Sequence, residues 1–260
     1  LKIGIIGCGN MASSIAYSIT KTQKHQIFCY DIDEPKAEKF NELYGATKLT
    51  SENEVVLNCD IIIIAVKPKD IFNVLRKIKD VIGDKIIVSI AAGISVERIK
   101  DVVGNKKIVR VMPNININVE EGILGICFSE SVLPDEKDKV TELFKSMGAV
   151  IVVDEKFMDA ITALFGSGPA FVAHFVESYI DAAVKLGFSK EESYNLVLKL
   201  FYGTIVNMKN NMLTTHQIKD MVTSPGGTTI EGLVEFERRA LKGAIIDGII
   251  KAYERSKSIL

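Results

Sequence analysis

The chain has 260 residues, of which 47% are apolar and 25% charged, and a net charge of −1. These values exclude a disordered or collagen-like chain and point to one large or two small globular domains. Near-neutral charge without a long basic run argues against a nucleic-acid partner. The four cysteines show no CxxC spacing, which argues against a metal site and for reduced thiols in a cytoplasmic setting.

In chain order, short β-branched runs occupy 3–6, 27–30, 61–66, 86–90 and 108–112, with helical spacing at 11–20, 35–44, 69–82 and 96–103 between them. Alternation of this kind predicts a parallel sheet covered on both faces, and strands apolar on both sides are what such a sheet requires. Two more strand-like runs, 125–129 and 150–153, flank a helical pattern at 135–147. Beyond Asp154 the alternation stops. Helical patterns then cover 169–186, 191–208 and 239–259. The expected domains are therefore 1–153, an α/β doubly wound and mainly parallel sheet, and 154–260, all-α.

Mean hydropathy is slightly positive, yet no unbroken apolar run reaches the roughly 18 residues of a membrane span. The chain opens on a strand pattern rather than a signal-peptide pattern. No membrane partner is expected, and the excess apolar surface is read as buried helices, including a subunit interface.

Directly after the first run comes Gly7-Cys8-Gly9-Asn10-Met11-Ala12, followed by a helix. In this G-x-G-x-x-A turn, Gly7 permits the tight bend. Gly9 admits a pyrophosphate to the backbone, and Ala12 lets the helix pack close to the strand. The turn implies dinucleotide binding; alone it would be a tight connection without a ligand. Asp31 ends the second run, where a carboxylate accepts from ribose hydroxyls and repels a 2′-phosphate. Equally, Asp31 or Asp33 can cap the helix entered through Glu34-Pro35. Lys67 is the cation at the end of the third of these runs, either a ligand contact or a solvated loop lysine. Thr228-Thr229-Ile230-Glu231 reads as a capping box with Thr228 as N-cap, and Ser167 as the cap of a helix with Pro169 in its first turn. The three histidines, His25, His174 and His216, have no triad-like or metal-like spacing.

Six segments taken together resemble the pyrroline-5-carboxylate reductase family. They are the glycine turn, Ala65-Val66-Lys67-Pro68, Ser89-Ile90-Ala91-Ala92-Gly93, Arg110-Val111-Met112-Pro113-Asn114, Ala163-Leu164-Phe165-Gly166-Ser167-Gly168-Pro169-Ala170, and Val222-Thr223-Ser224-Pro225-Gly226-Gly227-Thr228-Thr229. The last is the most specific. The resemblance implies a Rossmann-type domain that binds NAD(P)H, and an all-α dimerisation domain that interlocks with that of a second subunit. It further implies a homodimer or a larger ring of dimers, with the active site between one chain's cofactor and the partner's helices. By the same resemblance Gly7, Gly9, Asn10, Met11, Ala12, Asp31, Asn53 and Ala65, Val66, Lys67, Pro68 would contact the cofactor. Ala91, Ala92 and Gly93 would line the nicotinamide pocket. Asn114, Ser224, Gly226, Gly227, Thr228 and Thr229 would hold the substrate, with Thr229 hydrogen bonded to the ring nitrogen. This chain departs from the family at Ile115-Asn116 (usually Thr-Pro), Phe165 (usually Ser) and Asp31-Ile32 (often Asn-Arg or Ser).

The implied reaction is hydride transfer to the carbon of a cyclic imine bearing a carboxylate, which needs alignment more than acid–base machinery. A β-hydroxyacid dehydrogenase would need a lysine in an Asn-x-x-Lys pattern, and the nearest pair here, Asn195 and Lys199, is spaced differently. Reduction of another cyclic imine and a nucleotide-binding regulatory protein are the remaining readings.

Overall fold

In the computed structural model, which describes residues 1–258, the β-branched runs pair into one eight-stranded sheet. The strands are β1 (Lys2–Ile6), β2 (Gln26–Tyr30), β3 (Thr47–Lys48), β4 (Ile61–Ile64), β5 (Ile86–Ser89), β6 (Lys107–Met112), β7 (Gly122–Phe128) and β8 (Gly148–Val152). Their spatial order is β3-β2-β1-β4-β5-β6-β7-β8. Every neighbouring pair is parallel except β6 with β7. The connecting helices are α1 (Asn10–Thr22), α2 (Glu34–Tyr44), α3 (Glu52–Asn58), α4 (Ile71–Ile78), α5 (Val96–Val103) and α6 (Pro134–Lys145). This is the doubly wound, mainly parallel sheet expected from the alternation.

β4 shows why the sheet is covered on both sides. Its four isoleucines are all buried, and successive side chains point to opposite faces. Ile61 and Ile63 join Ile3, Ile5 and Ile15 in one cluster. Ile62 and Ile64 join Val55, Leu75 and Ile87 in the other. Each fully buried isoleucine contributes about 1.5–3 kcal/mol relative to an exposed one.

The chain divides into two compact units, one of Leu1–Ser167 with the segment from Ala252 onward and one of Gly168–Lys251. The change of sequence pattern at Asp154 is thus a different boundary from the division at Ser167. Residues 155–166 are helical, comprising a 3₁₀ turn (Glu155–Phe157), α7 (Met158–Ile161) and a π-helical turn (Thr162–Gly166). They nevertheless stay with the sheet. Buried Arg110 of β6 pairs with Glu155, and Glu155 accepts from the Val96 amide at 3.3 Å. A Cβ on Gly125 of β7 would lie 2.6 Å from Ile161, and one on Gly166 would lie 2.7 Å from Met112. Ser256 donates to Asp159 at 3.0 Å, which keeps the end of the last helix with this unit.

The remaining helices are α8 (Gly168–Lys185), α9 (Lys190–Asn210), α10 (Thr215–Val222), α11 (Thr228–Arg238) and α12 (Leu241–Lys257). Their apolar positions are largely uncovered. α8, α10 and α11 bury no residue, and α9 buries only Ser193 and Val197. The helical stretch Glu155–Lys185 is also long and apolar enough, by length and composition, to cross a membrane. Counting unbroken apolar runs missed this, because Thr162, Ser167 and His174 interrupt the run.

Three elements were absent from the sequence reading: β3, α3 and α10. Both helices had a legible start. Ser51 accepts from the Glu54 amide at 3.2 Å. Thr214 and Gln217 form a reciprocal capping box, the Ser/Thr-x-x-Glu/Gln signature.

Candidate active site

β1 and β4 are neighbours whose crossovers leave the sheet in opposite directions, and a doubly wound sheet opens a crevice at such a point. Gly7 lies there with φ of 97°, its amide donating to the Tyr30 carbonyl at 2.8 Å. A Cβ on Gly7 would stand 2.9 Å from the Ala65 carbonyl carbon and oxygen, so the chain's own packing demands glycine. Gly9 is different. Its φ is −81°, and a Cβ there would meet nothing within 4 Å. The protein alone would tolerate a side chain at Gly9; glycine keeps the space before α1 clear. No side chain caps α1, so its first-turn amides face that space with their hydrogen-bonding capacity unused. Ala12 is fully buried and seats the helix against the core.

A cavity of about 770 Å³ opens on this turn. Of the expected cofactor residues, Gly7, Gly9, Asp31, Ala65, Val66 and Lys67 line it. Asn10, Met11, Ala12 and Pro68 flank it in sequence. Ala91, Ala92 and Gly93 follow β5, the next strand along the same sheet edge. Asn53 requires a correction. It is exposed on α3 and does not line the cavity, whereas its neighbour Glu52, 8% exposed, does. One residue along a helix turns a side chain by about 100°, so the error selects the wrong face. Glu52 pairs with Lys77 of α4 at 2.6 Å. The signal that would have found it is the Ser51 cap, which fixes the phase of α3.

Asp31 does not cap α2. The N-cap is Asp33, without a side-chain capping bond, and Asp33 instead pairs with Lys36 at 2.8 Å. The Asp31 carboxylate spans two backbone amides, accepting from Cys8 at 2.7 Å and from Asp33 at 2.8 Å. The residue at the end of β2 therefore holds the glycine turn in place.

Asn114 is 3% exposed. Its Oδ1 accepts from the Asn116 and Ile123 amides at 3.2 and 3.3 Å, and its Nδ2 donates to the Phe165 carbonyl at 3.0 Å. The side-chain amide expected to hold the substrate is thus engaged within the chain. The side chain ties the end of β6 to β7 and to the π-helical turn. Such turns occur often at functional sites.

In the second unit, Gly226 has φ of 68°, and a Cβ on Gly227 would lie 2.4 Å from the Ser224 hydroxyl. Gly227, not Thr228, is the N-cap of α11, and no side chain caps that helix. The capping box expected at Thr228 and Glu231 is absent because Thr228 already belongs to the first helical turn. The hydroxyls of Ser224, Thr228 and Thr229 have no protein hydrogen-bond partner among the described residues. The same unit carries an apolar groove of about 670 Å³, lined by Phe171, Phe175, Tyr179, Phe236, Leu241, Ile245 and Ile249 among others.

The cysteines are all buried and free. Burial pushes the Cys59 and Cys127 thiols up to about 12. A hydrogen bond with Cys29, then burial, drives Cys8 further in the same direction. Such thiols stay protonated and are poor nucleophiles near neutral pH. Burial lowers the His25 pKa. Among the described residues no group of His, Cys, Asp and Glu is arranged to hold a metal.

Comparison with known proteins places a family boundary beside the change of sequence pattern at Asp154 rather than at Ser167. The family described as Pyrroline-5-carboxylate reductase dimerisation matches residues 155–259. One described as NADP oxidoreductase coenzyme F420-dependent matches residues 2–93. A pyrroline-5-carboxylate reductase of Aquifex aeolicus is 37% identical, with 100% of this chain and 97% of that protein covered. One of Methanosarcina acetivorans is 34% identical, with 99% and 97% covered. The structure of a Plasmodium falciparum pyrroline carboxylate reductase with NADP bound superposes with a TM-score of 0.91 at 35% identity, covering 99% of this chain and 97% of that one. Full-length identity at this level, on the same Rossmann-type sheet and helical segment, makes this chain a member of the pyrroline-5-carboxylate reductase family.

Proposed function

We propose that this chain reduces 1-pyrroline-5-carboxylate to L-proline with NAD(P)H, the last step of proline biosynthesis. The observation that carries the reading is Gly9, bare toward an open cavity although nothing in the protein crowds it. A nucleotide explains that vacancy. Gly7, Gly9, Asn10, Met11 and Ala12 form the pyrophosphate turn, with the α1 amides as donors. Ala65, Val66, Lys67 and Pro68 contact the ribose side, and Ala91, Ala92 and Gly93 form the nicotinamide wall. Asn114 positions that wall by tying β6 to the π-helical turn. When bound, the reduced nicotinamide supplies the hydride that attacks the imine carbon.

The substrate carboxylate is received by the Ser224-Pro225-Gly226-Gly227-Thr228-Thr229 segment. There uncapped α11 amides and free hydroxyls present donors together. Thr229 is the catalytic residue of this reading, its hydroxyl oxygen accepting from the N–H of the protonated ring nitrogen. Because the imine enters protonated, its nitrogen keeps that proton as it becomes an amine. The missing histidine machinery then costs nothing, and rate comes from holding the imine in line.

Residues 154–260 form the dimerisation and substrate part of the reading, in a homodimer or a ring of dimers. It is supported by helices α8 and α9, which bury almost nothing within one chain. A cytoplasmic setting is supported by four buried free thiols.

The test is steady-state turnover of the full chain with 1-pyrroline-5-carboxylate and either nucleotide, with proline identified as product. Turnover with neither nucleotide would overturn the reading. Thr229→Val is expected to lower kcat/KM by about 100-fold while leaving nucleotide affinity unchanged.

A further inference from the structure

We infer that this chain discriminates against a 2′-phosphorylated nucleotide, taking NADH in preference to NADPH, and that Asp31 is the residue that decides. The inference rests on the nucleotide-binding reading above and deepens it.

In a sheet of this order the adenosine ribose is read at the end of β2. A flexible acid there would be free to swing away from a phosphate. Asp31 has no such freedom, because each carboxylate oxygen accepts a backbone N–H, from Cys8 at 2.7 Å and from Asp33 at 2.8 Å. An ionised carboxylate oxygen has capacity for a further donor, so both oxygens still accept from ribose hydroxyls. A 2′-phosphate offers no such proton and brings a second anion against a fixed first one. The next residue, Ile32, is 85% exposed on the cavity wall and offers no cation.

Cations do line the cavity, and their partners decide what they can do. Lys36 is held by Asp33 at 2.8 Å, and Lys77 by Glu52 at 2.6 Å. The Arg76 guanidinium donates to Asn73 of its own helix at 3.1 Å. Lys67 and Lys69 follow β4, on the other side of the glycine turn from Asp31. Lys36 and Lys77 are thus already engaged by carboxylates.

The test is direct binding of NADH and of NADPH to the full-length protein, read by nicotinamide fluorescence, for the wild type and for Asp31→Asn and Asp31→Ser. The wild type is expected to bind NADH at least 10-fold more tightly. Asp31→Asn keeps an acceptor for the Cys8 amide and removes the charge, and it is expected to shift the ratio toward NADPH by about 10-fold or more. Equal affinities or tighter NADPH binding by the wild type would overturn the inference, as would an unchanged ratio in a folded Asp31→Asn protein. If neither nucleotide binds, the functional reading fails and the inference with it. If both bind and NADPH wins, only the inference fails.

Discussion

The two compact units solve the problem of apolar surface in different ways. In the first, each strand of the sheet centre is sealed by helices of the same chain, and residues such as Ile3, Ile63 and Leu75 have no exposure. In the second, two helices of 18 and 21 residues bury only Ser193 and Val197 between them. Leu186 is 80% exposed and Tyr202 65%. The sequence composition of the second unit is that of a core, yet one copy of the chain does not close it. The first unit is finished by its own sequence, whereas the second leaves its helices largely uncovered, and the proposed dimer is what would cover them.

The largest effect should come from the unfinished unit. Ile245→Asp places a charge in the apolar groove, where pairing would bury it without a partner. Sedimentation velocity should show loss of the proposed dimer and activity should fall with it. The equally drastic Ile63→Ala in the sheet should cost about 2–5 kcal/mol and leave the association of folded chains intact. If Ile245→Asp stays dimeric, the contrast between the units is wrong.

A sharper comparison lies inside the glycine turn. Gly7→Ala must fit a Cβ 2.9 Å from the Ala65 carbonyl at φ of 97°. It should lower stability by about 2–3 kcal/mol, measured by urea unfolding. Gly9→Ala should unfold like the wild type yet weaken nucleotide binding about 10-fold or more, because its methyl group enters only the cavity. Equal effects of the two on stability would show that Gly9 is glycine for packing after all.

How much of this was legible in the sequence follows the same division. The strands were readable because isoleucine runs such as Ile61–Ile64 have one use in a doubly covered sheet. The glycine turn was readable because its position after β1 narrows its meaning. Asn53 failed because a short helix was missed, and without its Ser51 cap the face could not be phased. The role of Asn114 as a tie was not legible, because its three hydrogen bonds run to residues distant in sequence or to turn amides, a network that spacing does not encode. Thr228 failed for a local reason: Gly227 in an extended conformation (φ −78°, ψ 169°) already starts the helix. The boundary at Ser167 was hidden because Arg110 and Glu155 hold a helical-looking passage to the sheet.

The smallest expected effect concerns α6. Burial pushes the Glu136 carboxyl up, but Lys107 at 2.7 Å and the Leu133 amide outweigh it and hold its pKa below the ordinary value. A carboxyl lowered on folding adds stability that is fully present above its unfolded pKa and lost as pH falls through the folded one. Glu136→Gln should therefore cost about 1 kcal/mol at pH 7. The difference should shrink as pH drops below the normal glutamate range. A cost that persists in acid would assign the effect to packing.

The most direct measurement of the contrast between the units is amide hydrogen exchange of the intact protein over a dilution series. Protection of α8, α9 and α12 should fall as the protein is diluted, while β1, β4 and β5 remain protected throughout. Protection of all these elements that is independent of concentration, in a protein shown by sedimentation to be monomeric, would contradict it: the second unit would then be complete in one chain.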